Sequence, residues 1–333
     1  MSKITINEVA KMAGVSSPTV SRVINKYPYV KKETYNRVME AIGKLNFVPS
    51  AVARNLVMGR SLLQTSTLAI GLLFGFNISR SHTYFSKIVD IIERELRKKN
   101  YYLIFSKCDE FVPSMVRDEV IQGIIILSHV NPETLAALKQ KNVPVVLVDS
   151  DPDIEGAECI IPDFQKGVSL ALSYLIGLGH KRIGMINGPL GHYFSQASLE
   201  SYKGVLEKNS IAFDASIVVD GDFSLLSGYQ AMKQLLSLPS PPTAVFANDE
   251  TAIGAMRAIE EKGLKIPKDI ALVGFDDIDL SSYTIPSLTT IRVSREKIGE
   301  LAVKKMFDWI AEKEKHVPTK TIVPVELVVR NSA

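Results

Sequence analysis

Between residues 4 and 25 the apolar positions recur at helical spacing, in two short runs separated by Ala13-Gly14-Val15. Thr5 and Glu8 have the spacing of a capping box, which opens a first helix over residues 6–12. Gly14 can hold the left-handed backbone that a sharp turn needs. Ser16 or Ser17 caps a second helix, with Pro18 in its first turn, where the missing N–H costs little. Val9, Val15, Val20 and Val23 supply a small shared core, and Ala10 is small where the helices must cross. The exposed face of the second helix is then Ser17, Pro18, Ser21, Arg22 and Asn25. A third helix is predicted over residues 32–45, with Tyr35, Val38, Met39, Ile42 and Leu45 closing the core at three- and four-residue steps. Residues 50–57 (SAVARNLV) are helical in propensity, but a helix of ~8 residues is marginal alone in water. Residues 58–67 read as a linker.

From Thr67 the pattern changes to alternating strand and helix. Apolar runs lie at residues 68–74, 101–108, 123–127, 143–149, 182–188, 243–249 and 270–276. Their hydrophobicity is continuous, as in strands buried on both faces of a parallel sheet. Helical patterns fall between them, at 84–98, 132–141, 165–178, 195–208, 227–236, 251–262 and 295–313. The expected fold class is therefore α/β, a doubly wound body behind an all-α head. A body of this length is too large for one core, so two α/β lobes with a cleft between them are expected. Ligands in such sheets bind beyond the carboxyl ends of strands. The residues there are Gly75, Phe76 and Asn77; Leu127 and Ser128; Asp149; Asn248 and Asp249; Asp276 and Asp277.

Charge sharpens the division. Residues 1–60 carry ten Lys/Arg against three acids, a net +7, while the whole chain of 333 residues is +3. A basic head on an acidic body is the footprint of a nucleic-acid reader. A helix-turn-helix places its second helix in the DNA major groove; a helical hairpin in an ordinary bundle is the competing reading. No apolar run approaches the ~20 residues of a membrane helix, and the N-terminus lacks the apolar core of a signal peptide. A cytoplasmic protein with no membrane partner is expected. Cys108 and Cys159 sit in apolar runs and read as buried thiols.

With these features in order, the chain resembles the LacI/GalR family of bacterial transcription regulators. The similarity is carried by I-T-I-x-E-V-A-x-x-A-G-V-S-x-x-T-V-S-R-V-I-N at residues 4–25, then Pro49, Ala53-Arg54-x-Leu56 and the 178–183 run LGHKRI. It continues through the 242–249 run PTAVFAND, Gly274-Phe275-Asp276-Asp277 and the 286–291 run PSLTTI. The resemblance implies a homodimer on a pseudo-palindromic operator, with a periplasmic-binding-protein-like body that senses a small molecule. Under it, residues 1–48 are the helix-turn-helix domain, 49–61 the hinge helix and linker, and 62–333 the effector-binding and dimerisation body. The N-lobe takes about 62–162 and 292–322, and the C-lobe about 163–291 and 323–330. Ser17, Pro18 and Arg22 would read bases, and Thr5, Ser16, Thr19, Ser21 and Asn25 would touch phosphates. Ser50, Ala53 and Leu56 would enter the minor groove from a hinge that folds on DNA, with Leu56 as an apolar wedge.

The effector site departs from the family. Ser198 stands where an Arg commonly grips the ligand, Gly75-Phe76 replaces the usual Pro-Asp, and the loop after it is about two residues longer. The segment between Cys108 and Val120 is roughly a dozen residues short of the usual length. Phe223, Asn248, Asp276, Tyr84 and Phe85 match ligand contacts of the family, and His82 and His192 are donors available in place of the missing Arg. With Asn77, Ser128, Asp149 and Ser198 these complete the expected effector site, for a sugar, sugar phosphate or nucleoside-like molecule.

Two other classes compete. An enzyme would exploit the acidic strand ends, but neighbours in the pairs Asp276-Asp277 and Asn248-Asp249 should diverge. There is no G-x-S-x-G elbow, no P-loop and no metal spacing among the five histidines. Gly177-Leu178-Gly179 follows a helix rather than a strand, the reverse of a dinucleotide fingerprint. Neither a cofactor nor a metal is expected. A solute-binding protein of sugar transport would account for the body alone and would not need residues 1–60. The expected function is an allosteric repressor without enzymatic activity.

Overall fold

Small apolar residues carry the packing of the head. In this computed structural model, which describes residues 5–24, 29–45, 68–75, 82–107, 114–117, 120–150, 154–189, 191–312 and 315–333, three helices come first. They are α1 (Ile6–Ala13), α2 (Ser17–Ile24) and α3 (Lys32–Leu45), and they enclose Val9, Ala10, Ala13, Val20, Val23, Val38 and Ala41. The Thr5 N–H donates to the Glu8 carboxylate at 2.6 Å, so the capping pair works as its spacing predicts. Gly14 takes φ 63° and ψ 40° and donates back to Ala10 and Lys11, which ends α1.

Two expectations for the head are corrected. Tyr35 and Met39 are exposed, because a short helix against two partners buries only a narrow stripe, here Val38 and Ala41 with Ile42 and Leu45 beside them. Ser21 is only 5% exposed. It lies one position from core residue Val20 and turns inward, so the exposed face of α2 keeps Pro18 and Arg22 but not Ser21. Asn25, Ser50, Ala53, Leu56, Asn77, Cys108 and the expected hinge helix lie outside the described residues.

Residues 68–333 form a separate unit built on two sheets. The first contains β1 (Ala69–Phe74), β2 (Tyr102–Lys107), β3 (Gly123–Leu127), β4 (Val145–Val148), β5 (Glu158–Pro162) and β11 (Lys320–Val323). Their order is β11-β5-β4-β3-β1-β2, all parallel. The second contains β6 (Ile183–Asn187), β7 (Val218–Asp220), β8 (Ala244–Ala247), β9 (Ala271–Asp276), β10 (Thr289–Val293) and β12 (Val325–Val328). Their order is β12-β10-β9-β8-β6-β7, with β12 alone antiparallel to its neighbour. Strands β1, β3 and β4 are buried at every position, which is why they read as continuous apolar runs.

Five strands were not legible as apolar runs: β5, β7, β10, β11 and β12. β7 has three residues and a half-exposed pattern, while β11 and β12 lie at sheet edges. β10 carries Arg292, and β5 carries Glu158. Glu158 is fully buried because partners neutralise it: His316 Nε2 at 2.9 Å and Lys305 Nζ at 3.3 Å.

The described helices beside the first sheet are α4 (Thr83–Lys98), the single turn α5 (Ser114–Arg117), α6 (Pro132–Gln140) and α11 (Arg295–Ala311). The second sheet carries α7 (Phe164–Gly177), α8 (Tyr193–Lys208), α9 (Leu225–Leu236) and α10 (Asp249–Glu261). The chain passes between the lobes three times, from β5 to α7, from β10 to α11 and from β11 to β12. α9 and α10 touch backbone to backbone. A Cβ on Gly228 would lie 2.0 Å from the Thr251 carbonyl oxygen, and one on Gly254 would lie 1.9 Å from that of Leu225. Only glycine permits this contact, which holds the first turn of α10 at the cleft.

Candidate functional site

In the head, α2 presents its polar residues on a rigid frame. The Ser17 hydroxyl donates to Asn7 Oδ1 at 2.7 Å, linking α2 to α1. Ser16 and Thr19 share a hydrogen bond of 2.9 Å at the helix start. Arg22 and Pro18 are exposed. Arg22 is the cation of that surface, and its fork of donors suits a guanine edge or a phosphate.

The second site lies between the lobes of the body. A cavity of about 420 Å3, part of it open to solvent, is lined by His82, Tyr84, Phe85 and Asp149 from the first lobe. From the second come Phe164, His192, Phe194, Phe223, Asn248 and Asp276. Asp149 follows β4, Asn248 follows β8 and Asp276 ends β9, so the topological rule for open α/β sheets places them correctly. Four residues at the cleft have left-handed backbone: Ser128 (φ 69°), Asp149 (φ 52°), Phe223 (φ 67°) and Asp276 (φ 118°). Such conformations are costly for residues other than glycine and cluster at functional sites.

The walls are aromatic. Phe194 packs on Phe164, Phe223 and Phe275 with ring centres 4.9, 5.7 and 5.3 Å apart. Gly188 makes room for this group, since a Cβ there would meet the Phe223 ring at 1.9 Å. The polar groups are few. Asn248 Oδ1 caps α10 by accepting from the Thr251 N–H at 3.3 Å, which leaves its NH2 for the cleft. Tyr84 Oη, Asp149 Oδ1 and the Nδ1 atoms of His82 and His192 are buried without a hydrogen bond of ordinary geometry. A ligand is the natural partner for such atoms, because leaving them unpaired costs free energy.

Burial sets the protonation of the cleft. It pushes the Asp149 carboxyl up to about 7, with the Tyr84 hydroxyl beside it pulling the other way. Burial also raises Asp276 well above the carboxylate range, reinforced by Asp249 and Asp149 and opposed by Arg295. His192 is pushed down to about 4, by burial and then by His129 and His82. His82 is lowered by burial against the pull of Glu250. Both imidazoles are therefore neutral at pH 7.

The two acidic pairs diverge, as adjacent residues on a strand end must. Asn248 lines the cavity, whereas Asp249 turns back and accepts from the Ile278 N–H (2.9 Å), Ser281 (2.5 Å) and Thr290 (2.5 Å). Asp276 lines the cavity, whereas Asp277 pairs with Arg292 and Arg330, each at 2.6 Å. Of the expected effector residues, the structure gathers His82, Tyr84, Phe85, Asp149, His192, Phe223, Asn248 and Asp276.

Ser128 is fully buried behind this set and hydrogen-bonds His192 Nε2 at 2.8 Å. Ser198 is corrected: it is fully buried and does not line the cavity, because a hydroxymethyl group is too short to reach the cleft from α8. Phe194, one helical turn earlier on the same face, lines it instead. Phe164 and Phe194 were missed. Their signal is an aromatic residue in the first turn of a helix that follows a strand end.

Among the described residues, hydrogen bonds cross the cleft at two places. Ser128 of the first lobe meets His192 of the second. Thr83, at the start of α4, donates from its N–H (2.9 Å) and its hydroxyl to Glu250 of α10. Glu250 does not line the cavity, so it is a clasp rather than a ligand contact. Charged hydrogen bonds contribute about 1.5–3 kcal/mol. Glu250→Ala should therefore weaken ligand binding by about ten-fold with the wall residues intact. Calorimetric titration checks this, and unchanged affinity would remove the clasp from the closing equilibrium.

Comparison with known proteins gives matches in both units. Residues 5–50 match the family described as bacterial regulatory proteins, lacI family. Residues 172–333 match the periplasmic binding protein-like domain. The chain is 35% identical to the "Probable HTH-type transcriptional repressor ExuR" of Bacillus subtilis (strain 168), over 99% of this chain and 98% of that protein. Among solved structures, the Lac repressor dimer bound to operator and the anti-inducer ONPF superposes with a TM-score of 0.79. It is 30% identical, over 99% of both chains. The complex of the transcriptional regulator CelR with cellobiose superposes with a TM-score of 0.74 at 26% identity, over 99% of this chain and 100% of that one.

Proposed function

The chain belongs to the lacI family of bacterial regulatory proteins, and from that premise we propose a repressor whose hold on DNA is set by a small molecule bound between the lobes of its body. The observation that carries the reading is the cavity itself. Both lobes contribute buried polar atoms without partners, and hydrogen bonds between the lobes close its rim. An occupant bridging Asp149 and Tyr84 to Asn248 and Asp276 favours one lobe angle over another. That differential affinity is what allosteric control requires, and coupling of this kind amounts to about 1–3 kcal/mol in both directions.

Ser17, Pro18 and Arg22 read bases, while Thr5, Ser16 and Thr19 hold phosphates. Asn25 joins the phosphate contacts, and Ser50, Ala53 and Leu56 act from the hinge at 49–61 in the minor groove. The protein works as a homodimer in the cytoplasm, because a pseudo-palindrome is read by two-fold symmetry. An exposed apolar patch supports a self-association surface. Leu225 and Leu226 at the start of α9, with Leu280, Tyr283 and Ile285, are all exposed, Ile285 to 97%. The protein turns over no substrate.

Selection of duplexes from a random pool tests the reading. A pseudo-palindrome should be enriched and then released, or gripped more tightly, by a molecule that also raises the melting temperature. Absence of enrichment over an Arg22→Ala control would sink it.

A further inference from the structure

We propose that the cleft takes a hydroxylated ring bearing a protonated amine, with the ammonium seated at Asp149 and Asp276, and that it rejects acidic effectors; this rests on the reading of the cleft as the effector site. Charge bookkeeping within the body is the first argument. Elsewhere, carboxylates with little access to water are matched. Glu158 meets His316 and Lys305, Asp277 meets Arg292 and Arg330, and Asp249 accepts three hydrogen bonds. Asp149 is 5% exposed and its Oδ1 has no partner. Among the described residues no Lys or Arg lines the cavity. Arg295, the cation that acts on Asp276, already donates to the Asp277 carbonyl and the Asp279 carboxylate at 2.9 Å each. Among the described residues, no cation lining the cleft is left to neutralise these two carboxyl groups.

The second argument is the remaining lining. Four phenylalanines, Phe85, Phe164, Phe194 and Phe223, surround these carboxyls. Ring faces attract a desolvated cation and cover the apolar face of a sugar-like ring. The Tyr84 hydroxyl, beside Asp149 but without a hydrogen bond of ordinary geometry, and the Nδ1 atoms of His82 and His192 match the hydroxyls of such a ring. An acidic ligand would instead set its own charge against two buried carboxyl groups, with no cation among the described lining residues to offset the desolvation cost.

The test is calorimetric titration and thermal shift of the full chain against matched ring triplets. These are D-glucosamine, D-glucose and D-glucuronate; D-galactosamine, D-galactose and D-galacturonate; and the mannose counterparts. At least one amine should bind, its neutral counterpart should bind about ten-fold or more weakly, and its acid should not bind. Asp149→Asn keeps the shape and removes the charge. In that variant, shown to be folded by circular dichroism, the amine should lose its advantage over the neutral ring. An acid that binds, a neutral ring that matches its amine, or an amine preference that survives Asp149→Asn overturns the charge assignment. Binding of neutral or acidic rings that Asp276→Asn abolishes would leave the cleft as the effector site. Silence of every triplet overturns both.

Discussion

Arg22→Ala is expected to abolish discrimination between the cognate palindrome and unrelated duplex, while weak binding that fades with salt remains. On the exposed face of α2, Pro18 has no donor and Ser17 spends its hydroxyl on Asn7. Ser21, which could have shared the work, is turned into the core. Arg22 is therefore the group on that face able to make a bidentate contact with a base edge. Such a contact contributes about 1–3 kcal/mol to base discrimination, and a dimer makes it in each half-site, about 2–6 kcal/mol together. The phosphate contacts are independent of sequence and account for the residual, salt-dependent affinity. A gel-shift series on cognate and scrambled duplexes at two salt concentrations measures both components. Unchanged discrimination would assign base readout to residues outside α2.

Asp276→Asn is expected to remove the effector response and, without ligand, to stabilise the protein at alkaline pH. Asn is the replacement of choice because Asp276 has φ 118°, which Asn tolerates better than Ala. The carboxyl faces the cavity at the end of β9, so its loss removes an acceptor from the bound ligand. Loss of a charged hydrogen bond in a desolvated site weakens binding by about ten- to a hundred-fold.

The stability effect follows from the sign of the shift. The folded-state pKa of Asp276 lies above its ordinary value, so the native protein keeps a proton that the unfolded chain releases. Stability from this group is complete at low pH and declines as pH rises above about 4. Asp149 and Asp249, both raised to about 7, act in the same direction between about pH 4 and 7. Melting curves at about pH 5 and about pH 8 should show the variant gaining on the parent as pH rises. A constant difference would mean that burial does not hold a proton on Asp276.

Much of this organisation was legible beforehand, for identifiable reasons. Thr5, Glu8 and Gly14 act through backbone within one or two turns, so their spacing alone specified the start and end of α1. The central strands declared themselves because both faces are buried. Strands such as β5 and the edge strands β7, β11 and β12 did not, since they carry polar residues whose pairing is decided by distant partners. Glu158 shows this best, because His316 and Lys305 lie far along the chain and are what make a buried acid tolerable in β5. The cleft was readable where the rule of strand ends applied, hence Asp149, Asn248 and Asp276. It was not readable where helices supply the wall, hence Phe164 and Phe194 in place of Ser198.

The stretch at residues 4–25 and the alternation that follows it were enough to specify a helix-turn-helix head, an α/β body and the family to which both belong. Those features depend on local periodicity and short-range caps, which the order of residues carries directly. Only the tertiary structure decided which side chains face the cleft and in what charge state. A helix position or a strand-end doublet leaves direction open until the lobes pack. Desolvation, which raises Asp149 and Asp276 and keeps His82 and His192 neutral, exists only once distant segments have excluded water from the same place.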